Sequence, residues 1–119
     1  MAVSGEYIEF ACELLAAIGP VRARRMFGGA GLYADDVMFA LIADDQIYIK
    51  VDDGLAADLE AEGSGPFIYE REGAEPVAMG YWRLPEAALD DPDEARRWAR
   101  RALDVALTAK ASRRPRRKR

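Results

Sequence analysis

Near the start of the chain the apolar residues Tyr7, Phe10, Ala11, Leu14, Leu15 and Ile18 recur at helical spacing, with Glu6, Glu9 and Glu13 on other faces. This pattern predicts an amphipathic helix, because side chains three and four apart share a face. Ser4 stands where an N-cap belongs, and Gly19-Pro20 ends the helix. The period then changes from helical to twofold. Residues 24–34 begin a first strand, residues 37–43 form a second and residues 46–52 a third. In the third, Ile47, Ile49 and Val51 alternate with Tyr48, Lys50 and Asp52. Asp35-Asp36 and Asp44-Asp45 occupy the positions of two-residue hairpin turns, whose geometry Asp tolerates. An antiparallel meander is predicted.

A short helix follows over residues 54–62, with Leu55 and Leu59 inward, and "GSGP" breaks the chain. Two more strands, "PFIYER" and "PVAMGYWRL", are joined by the turn-like "EGAE", with Val77, Met79 and Tyr81 on one face of the second. The last helix has Asp91 at its cap, Pro92 at its first position and Glu94 three places after the cap, a capping-box-like start. Ala95, Trp98, Ala102, Val105 and Ala109 are its predicted buried stripe. The order α-β-β-β-α-β-β-α, with strands in runs, predicts a two-layer α+β fold: helices on one antiparallel, five-stranded sheet.

The 119 residues suit one domain. No apolar run reaches the ~18 residues of a membrane span, and the N-terminus is acidic where a signal peptide is basic, so a cytoplasmic protein with no membrane partner is expected. Cys12 is the only cysteine and histidine is absent, which removes intramolecular disulfides, zinc ligand sets and Cys-His or Ser-His pairs. Carboxylates could still build a metal-dependent enzyme, but the acids fall mostly in adjacent pairs at turns. No catalytic residue, metal or cofactor is expected.

The net charge of −4 conceals an asymmetry. Residues 111–119, "ASRRPRRKR", hold six of the 17 basic groups and no acid, which leaves 11 basic against 21 acidic groups and a net of −10 in the rest. Residues 1–110 therefore form the domain, and residues 111–119 a disordered basic tail without apolar residues to bury.

The "GGAG" run at Gly28, Gly29 and Gly31 has neither dinucleotide nor P-loop spacing, and a strand follows it where a phosphate loop needs a helix. Glycines in such a strand mark a bulge, a bend or a close approach of backbone. "RMFGGAGLY", "VMFALIADDQIYIKVDD", "PFIYER" and "VAMGYWRLPEAALDD", in that order, resemble the TfoX N-terminal domain family over about residues 4–110. The resemblance is carried by Arg25, Met26, Phe27, Gly28 and Gly29, with Gly31, by Tyr48 and Lys50 around Ile49, and by Leu84 and Pro85. It implies a secretion-chaperone-like α+β fold and a role in regulating competence for DNA uptake. The implied role runs through a protein partner, a transcription regulator of the cyclic-AMP receptor type. Acidic pairs replace the glycine-containing turns common in that family, and the second domain of the full competence regulators is not in this sequence.

Other residues carry two readings each. Lys50 is either a nucleophile or anion contact, or a lysine paired on a wetted sheet face. Arg22, Arg24 and Arg25 either meet an acidic partner or a phosphate, or balance the acidic helices of the fold. Tyr33, Phe39, Tyr48, Phe67, Tyr69, Tyr81 and Trp82 either stack bases or pack a core. Arg96, Arg97, Arg100 and Arg101 form one basic face of the last helix. That face is either solvated, with Asp93 and Asp104 as partners, or continues into Arg113, Arg114, Arg116, Arg117, Lys118 and Arg119 as a nucleic-acid contact. The residues thus predict a non-catalytic interaction domain, monomer or homodimer, with a nucleic-acid-associated accessory protein as the alternative.

Overall fold

The computed structural model of the chain describes residues 4–26, 29–69 and 77–113. Helix α1 (Gly5–Leu15) starts at Ser4, whose Oγ accepts the Tyr7 N–H at 3.1 Å, and a 3-10 turn at Ala16–Ile18 ends it at Gly19. Ala11, Leu14, Leu15 and Ile18 are buried as the pattern predicts, and Tyr7 is half-buried. Phe10 departs from the prediction: it is 38% exposed and leans on the Tyr7 ring.

The stretch over residues 24–34 is two strands, not one. Strand β1 (Arg22–Met26) pairs antiparallel with β2 (Gly29–Ala34), from Arg22↔Tyr33 to Met26↔Gly29, and residues 27–28 between them lie outside the described residues. The glycines predict a bulge, a bend or a close approach of backbone; Gly29 starts a separate strand antiparallel to β1 and lies closely against the Ile42 backbone. β2 then pairs with β3 (Val37–Ala43), and β3 with β4 (Gln46–Lys50). Both hairpins turn on acidic pairs. Asp35 and Asp36 have φ of 50° and 64°, and Asp44 and Asp45 have φ of 52° and 57°. Two consecutive left-handed residues match the twist of the flanking strands, and Asp bears that conformation better than most non-glycine residues.

Helix α2 (Asp53–Ala61) is capped by Asp52, whose Oδ1 accepts the Leu55 N–H at 2.9 Å. The chain continues to β5 (Pro66–Tyr69) and returns as β6 (Val77–Arg83), which inserts between β4 and β5. The sheet order is β1-β2-β3-β4-β6-β5, with every neighbouring pair antiparallel. The predicted shared face of Val77, Met79 and Tyr81 rests on side chains at 77 and 79 outside the described residues, and the strand is irregular at Gly80. Its φ of 74° marks a bulge against β5, and its carbonyl accepts the Val51 N–H at 3.0 Å. The "EGAE" connection lies outside the described residues.

After a 3-10 turn at Glu86–Asp90, helix α3 (Pro92–Arg113) runs three residues past the expected boundary at Lys110, and residues 114–119 lie outside the described residues. Asp91 Oδ1 accepts the N–H groups of Asp93 at 3.1 Å and Glu94 at 3.3 Å. The predicted capping box is only half formed, because the Glu94 carboxylate turns to Arg97 and to the indole N–H of Trp98. The buried stripe is also rotated from the prediction: Ala95, Trp98, Ala99, Ala102, Leu103 and Ala106 are buried, while Val105 and Ala109 sit half-exposed at its margin. Alanine at four of the six buried positions lets α3 lie close over β3 and β4.

One apolar core joins all the helices to one face of the sheet, with Leu15, Leu32, Phe39, Ile42, Ile47, Ile49, Leu55, Leu59 and Leu103 fully buried in it. Gly29 is fixed by that packing, since a Cβ there would overlap the Ile42 carbonyl oxygen. Gly29→Ala is expected to destabilise the fold by about 2–3 kcal/mol in urea denaturation. Gly65→Ala, where a Cβ meets no heavy atom within 4 Å, is expected to stay within about 0.5 kcal/mol of the parent. Equal stability of the two variants would refute the packing role of Gly29.

Candidate interaction surfaces

The alternation along each strand decides what lies on the sheet face away from the helices. On β2, Ala30, Leu32 and Ala34 belong to the core, so Gly31 and Tyr33 face the other way. On β3 a bulge opposite Leu32/Tyr33 lets both Phe39 and Ala40 point inward, which turns Met38 and Leu41 outward. On β4, Tyr48 and Lys50 oppose Ile47 and Ile49, and register places Arg83 beside Tyr48 and Tyr81 beside Lys50. The outer face thus carries a band of Tyr33, Met38, Leu41, Tyr48 and Tyr81, flanked by Lys50 and Arg83.

Aromatic contacts hold this band together. The Tyr48 and Phe67 rings are 4.8 Å apart, Lys50 Nζ lies 5.1 Å from the Tyr81 ring centre, and Arg22 lies 5.8 Å from that of Tyr33. The Tyr81 hydroxyl reaches the Met38 carbonyl at 3.5 Å. Leu41 and Tyr81 are buried, whereas Tyr33, Met38, Tyr48 and Phe67 remain half-exposed. Burial raises the Tyr48 phenol pKa and Asp44 adds to the rise, against the opposing pull of Arg83. Lys50 is half-buried on an aromatic neighbour, the arrangement of a cation at the edge of an apolar patch. The aromatic set therefore divides between layers: Phe39 is core, Trp82 packs against the core, and Tyr33, Tyr48, Phe67 and Tyr81 form the outer band.

The motif residues do not converge on one site. Arg25 lies against the start of α1, 3.8 Å from where a Gly5 Cβ would stand. Met26 ends β1, and Phe27 and Gly28 lie outside the described residues. Gly29 and Gly31 are buried in β2, Tyr48 and Lys50 belong to the outer band, and Leu84 and Pro85 are buried just after β6. Leu84 N–H donates to the Ile47 carbonyl at 2.8 Å, so this motif closes the sheet end beneath a cleft of about 360 Å³. Tyr7, Asp45, Glu62, Ser64, Arg83 and Glu86 rim the cleft. Arg83 is held there by the Gly63 carbonyl at 3.2 Å, while Ser64 Oγ donates to the Arg83 carbonyl at 2.6 Å. No sequence pattern announces this cleft, because its rim comes from both helices and strands far apart in the chain. Among the described residues, no group of three or more His, Cys, Asp or Glu side chains is placed to hold a metal ion.

Along α3, Arg96, Arg97, Arg100 and Arg101 are all exposed. Arg97 pairs with Glu94, and Arg101 bridges to Asp58 of α2 at 2.8 Å while lying over Trp98. The partners differ from the expected Asp93 and Asp104, because Arg101 reaches across to α2 rather than along its own helix. Arg113 is the last residue of α3, and Arg114, Arg116, Arg117, Lys118 and Arg119 lie outside the described residues. No helix among the described residues is long and apolar enough to cross a membrane.

Against known proteins, the model of the TfoX N-terminal domain matches residues 13–106, from the last turn of α1 to the second half of α3. Protein Sxy of Escherichia coli (strain K12) is 28% identical over 101 residues, which cover 85% of this chain and 48% of that protein. DNA transformation protein TfoX of Haemophilus influenzae is 29% identical over 91 residues, covering 75% of this chain and 42% of that protein. The chain spans about half the length of the curated relatives it matches.

Cys12, the one thiol, is half-buried beside the core, and burial pushes its pKa up. Less thiolate is then present at any given pH, so the thiol is expected to react slowly. Alkylation by iodoacetamide near pH 8 should run about threefold or more slower in the folded chain than in urea-unfolded chain. A faster rate in the folded chain would mark Cys12 as an activated thiol instead.

Proposed function

This chain belongs to the TfoX N-terminal domain family, and from that premise we propose that it is a non-catalytic regulatory domain. In this reading it acts by binding a protein partner, in the control of competence for DNA uptake or of related transcription. The similarity to the Haemophilus influenzae DNA transformation protein supports the biological setting. The observation that carries the binding role is the outer face of the sheet. All helices pack on the opposite face, which leaves Tyr33, Met38, Tyr48 and Phe67 half-exposed in one band. Tyr and Met are enriched where proteins meet, since they offer large apolar area with a polar or adaptable tip. Contiguous apolar surface of this kind marks an interaction site more often than chance exposure does.

A second reading is favoured by α3 alone. The exposed Arg96, Arg97, Arg100 and Arg101, on a helix that runs on towards the Arg-rich tail, support this reading. Here the domain is a nucleic-acid-associated accessory protein, anchored by phosphate contacts whose strength falls with salt. The acidic body limits that contact to the helix and the tail.

In the native host, deleting the gene is expected to lower transcripts of DNA-uptake genes, and a wild-type copy to restore them. A Tyr48→Ser copy should restore them less while keeping its melting temperature within about 4 °C of the parent. Transcripts that do not change on deletion would sink the regulatory reading. For the second reading, duplex DNA binding by the full chain is expected only well below about 0.15 M salt, and not by a chain ending at Lys110. A complex that persists above that salt concentration with sequence preference would promote the accessory-protein reading over the first.

A further inference from the structure

Resting on the protein-partner reading above, we propose that β1 is the docking edge, and that it accepts an extended acidic segment of the partner as an added strand. β1 is an outer strand of the sheet and pairs only with β2 among the described residues. Its other edge therefore offers backbone N–H and C=O groups in strand geometry, the template that strand addition uses. Arg22 and Arg24 are exposed on the face away from the helices, while Arg25, on the other face, lies against the start of α1.

Charge specifies the occupant. Arg22 and Arg24 stand two residues apart and so project from the same, helix-free face, as the pairing of Arg22 with Tyr33 confirms. Arg24 lies opposite Gly31, which has no side chain to engage it, and it forms no ion pair among the described residues. Arg22 has only an exposed pair with Asp36 at 3.3 Å, of the kind that water and salt weaken. A partner strand carrying carboxylates at alternate positions meets both arginines at cross-strand distance, where opposite charges attract.

A second copy of this chain fits poorly in the same place. Antiparallel self-pairing about Arg24 sets Arg24 against Arg24, and like charges directly opposite repel. Nucleic acid fits less well than a peptide for two reasons. A phosphate backbone cannot complete a β-ladder, and the surroundings hold Asp35, Asp36, Glu6 and Glu9, all exposed, which repel a long polyanion. A short acidic strand touches the arginines and few of those acids.

The test uses the full chain and a labelled, end-capped Val-Glu-Val-Glu-Val peptide, read by fluorescence anisotropy. Binding is expected, and the Arg22→Glu, Arg24→Glu double variant should weaken it by about tenfold or more. Both side chains are exposed, and an unchanged melting temperature certifies the fold of the variant. Alternate N–H groups of an added strand face β1, so methylating either the valine or the glutamate nitrogens must abolish binding in one of the two methylated peptides. Retention by both, or equal binding of a peptide with Lys for Glu, overturns strand addition. Tighter binding of a short single-stranded oligothymidine at the same arginines overturns the choice of a peptide. Failure of the peptide while gene deletion still lowers uptake-gene transcripts overturns the edge assignment alone. Peptide binding with unchanged transcripts overturns the regulatory role and leaves the edge assignment standing.

Discussion

A six-stranded sheet has two faces, and among the described residues this chain supplies helices for one of them. The Ala-rich stripe of α3 lies over β3 and β4, α1 packs on α3 and β1, and α2 packs on β6, so that Ala11, Leu14, Leu15, Leu55 and Leu59 share one core with the inward residues of β2, β3 and β4. Burial on that side is the main source of stability, since each large side chain removed from water contributes roughly 1.5–3 kcal/mol before entropy is counted. The same one-sided packing determines what the other side can be. Its residues cannot all be charged, because the sheet must also hold its strands together laterally. Tyr48 on Phe67 and Lys50 on Tyr81 do this without a covering layer. Aromatic rings that stabilise the sheet are therefore also the half-exposed surface of its outer face.

Electrostatics sorts the arginines into structural and available groups. Arg101 ties α3 to α2 through Asp58, and Arg97 serves Glu94, which in turn satisfies the Trp98 indole. Each such exposed pair contributes about 0–1 kcal/mol, so their role is to orient neighbouring elements more than to hold the fold. Arg83 is likewise occupied by the Gly63 carbonyl. Arg24, Arg96 and Arg100 have no ion pair among the described residues. They lie on β1 and α3, two distinct surfaces on an otherwise acidic body, which is why one sequence supports both a protein-partner and a nucleic-acid reading.

Local chemistry was legible in the sequence and long-range geometry was not. The caps at Ser4 and Asp91, the hairpins at Asp35-Asp36 and Asp44-Asp45, and the inward set Ile47 and Ile49 each depend on residues a few places apart, and each stands as predicted. The separation of β1 from β2 was missed because glycine permits a bend, a bulge or a reversal equally well, and only pairing with a neighbour decides among them. The stripe of α3 was misplaced by part of a turn because alanine is compatible with either burial or exposure, so the pattern Ala-x-x-Trp-Ala does not determine a rotation. Phe10 was assigned inward from its type, whereas Tyr7 shields only one side of its ring. For the interaction surfaces, Tyr48 and Lys50 could be read from alternation along β4. The cleft beneath Arg83 could not, since Tyr7, Ser64 and Glu86 meet only after folding.

The outer face and the β1 edge are one continuous surface. Arg22 lies over Tyr33, and Tyr33 pairs with Met38, so the band of aromatic and sulfur side chains runs without interruption from β4 to the edge. A strand added at β1 would lengthen that face and place its own side chains beside Tyr33. The partner's contact would then be part backbone, part charge and part apolar, three terms with different dependences. Charge at the exposed edge governs encounter rate and fades with salt, while apolar contact on the face governs residence time. A regulator whose association must be both fast and reversible is well served by dividing those tasks between Arg24 at the rim and Tyr48 nearer the centre.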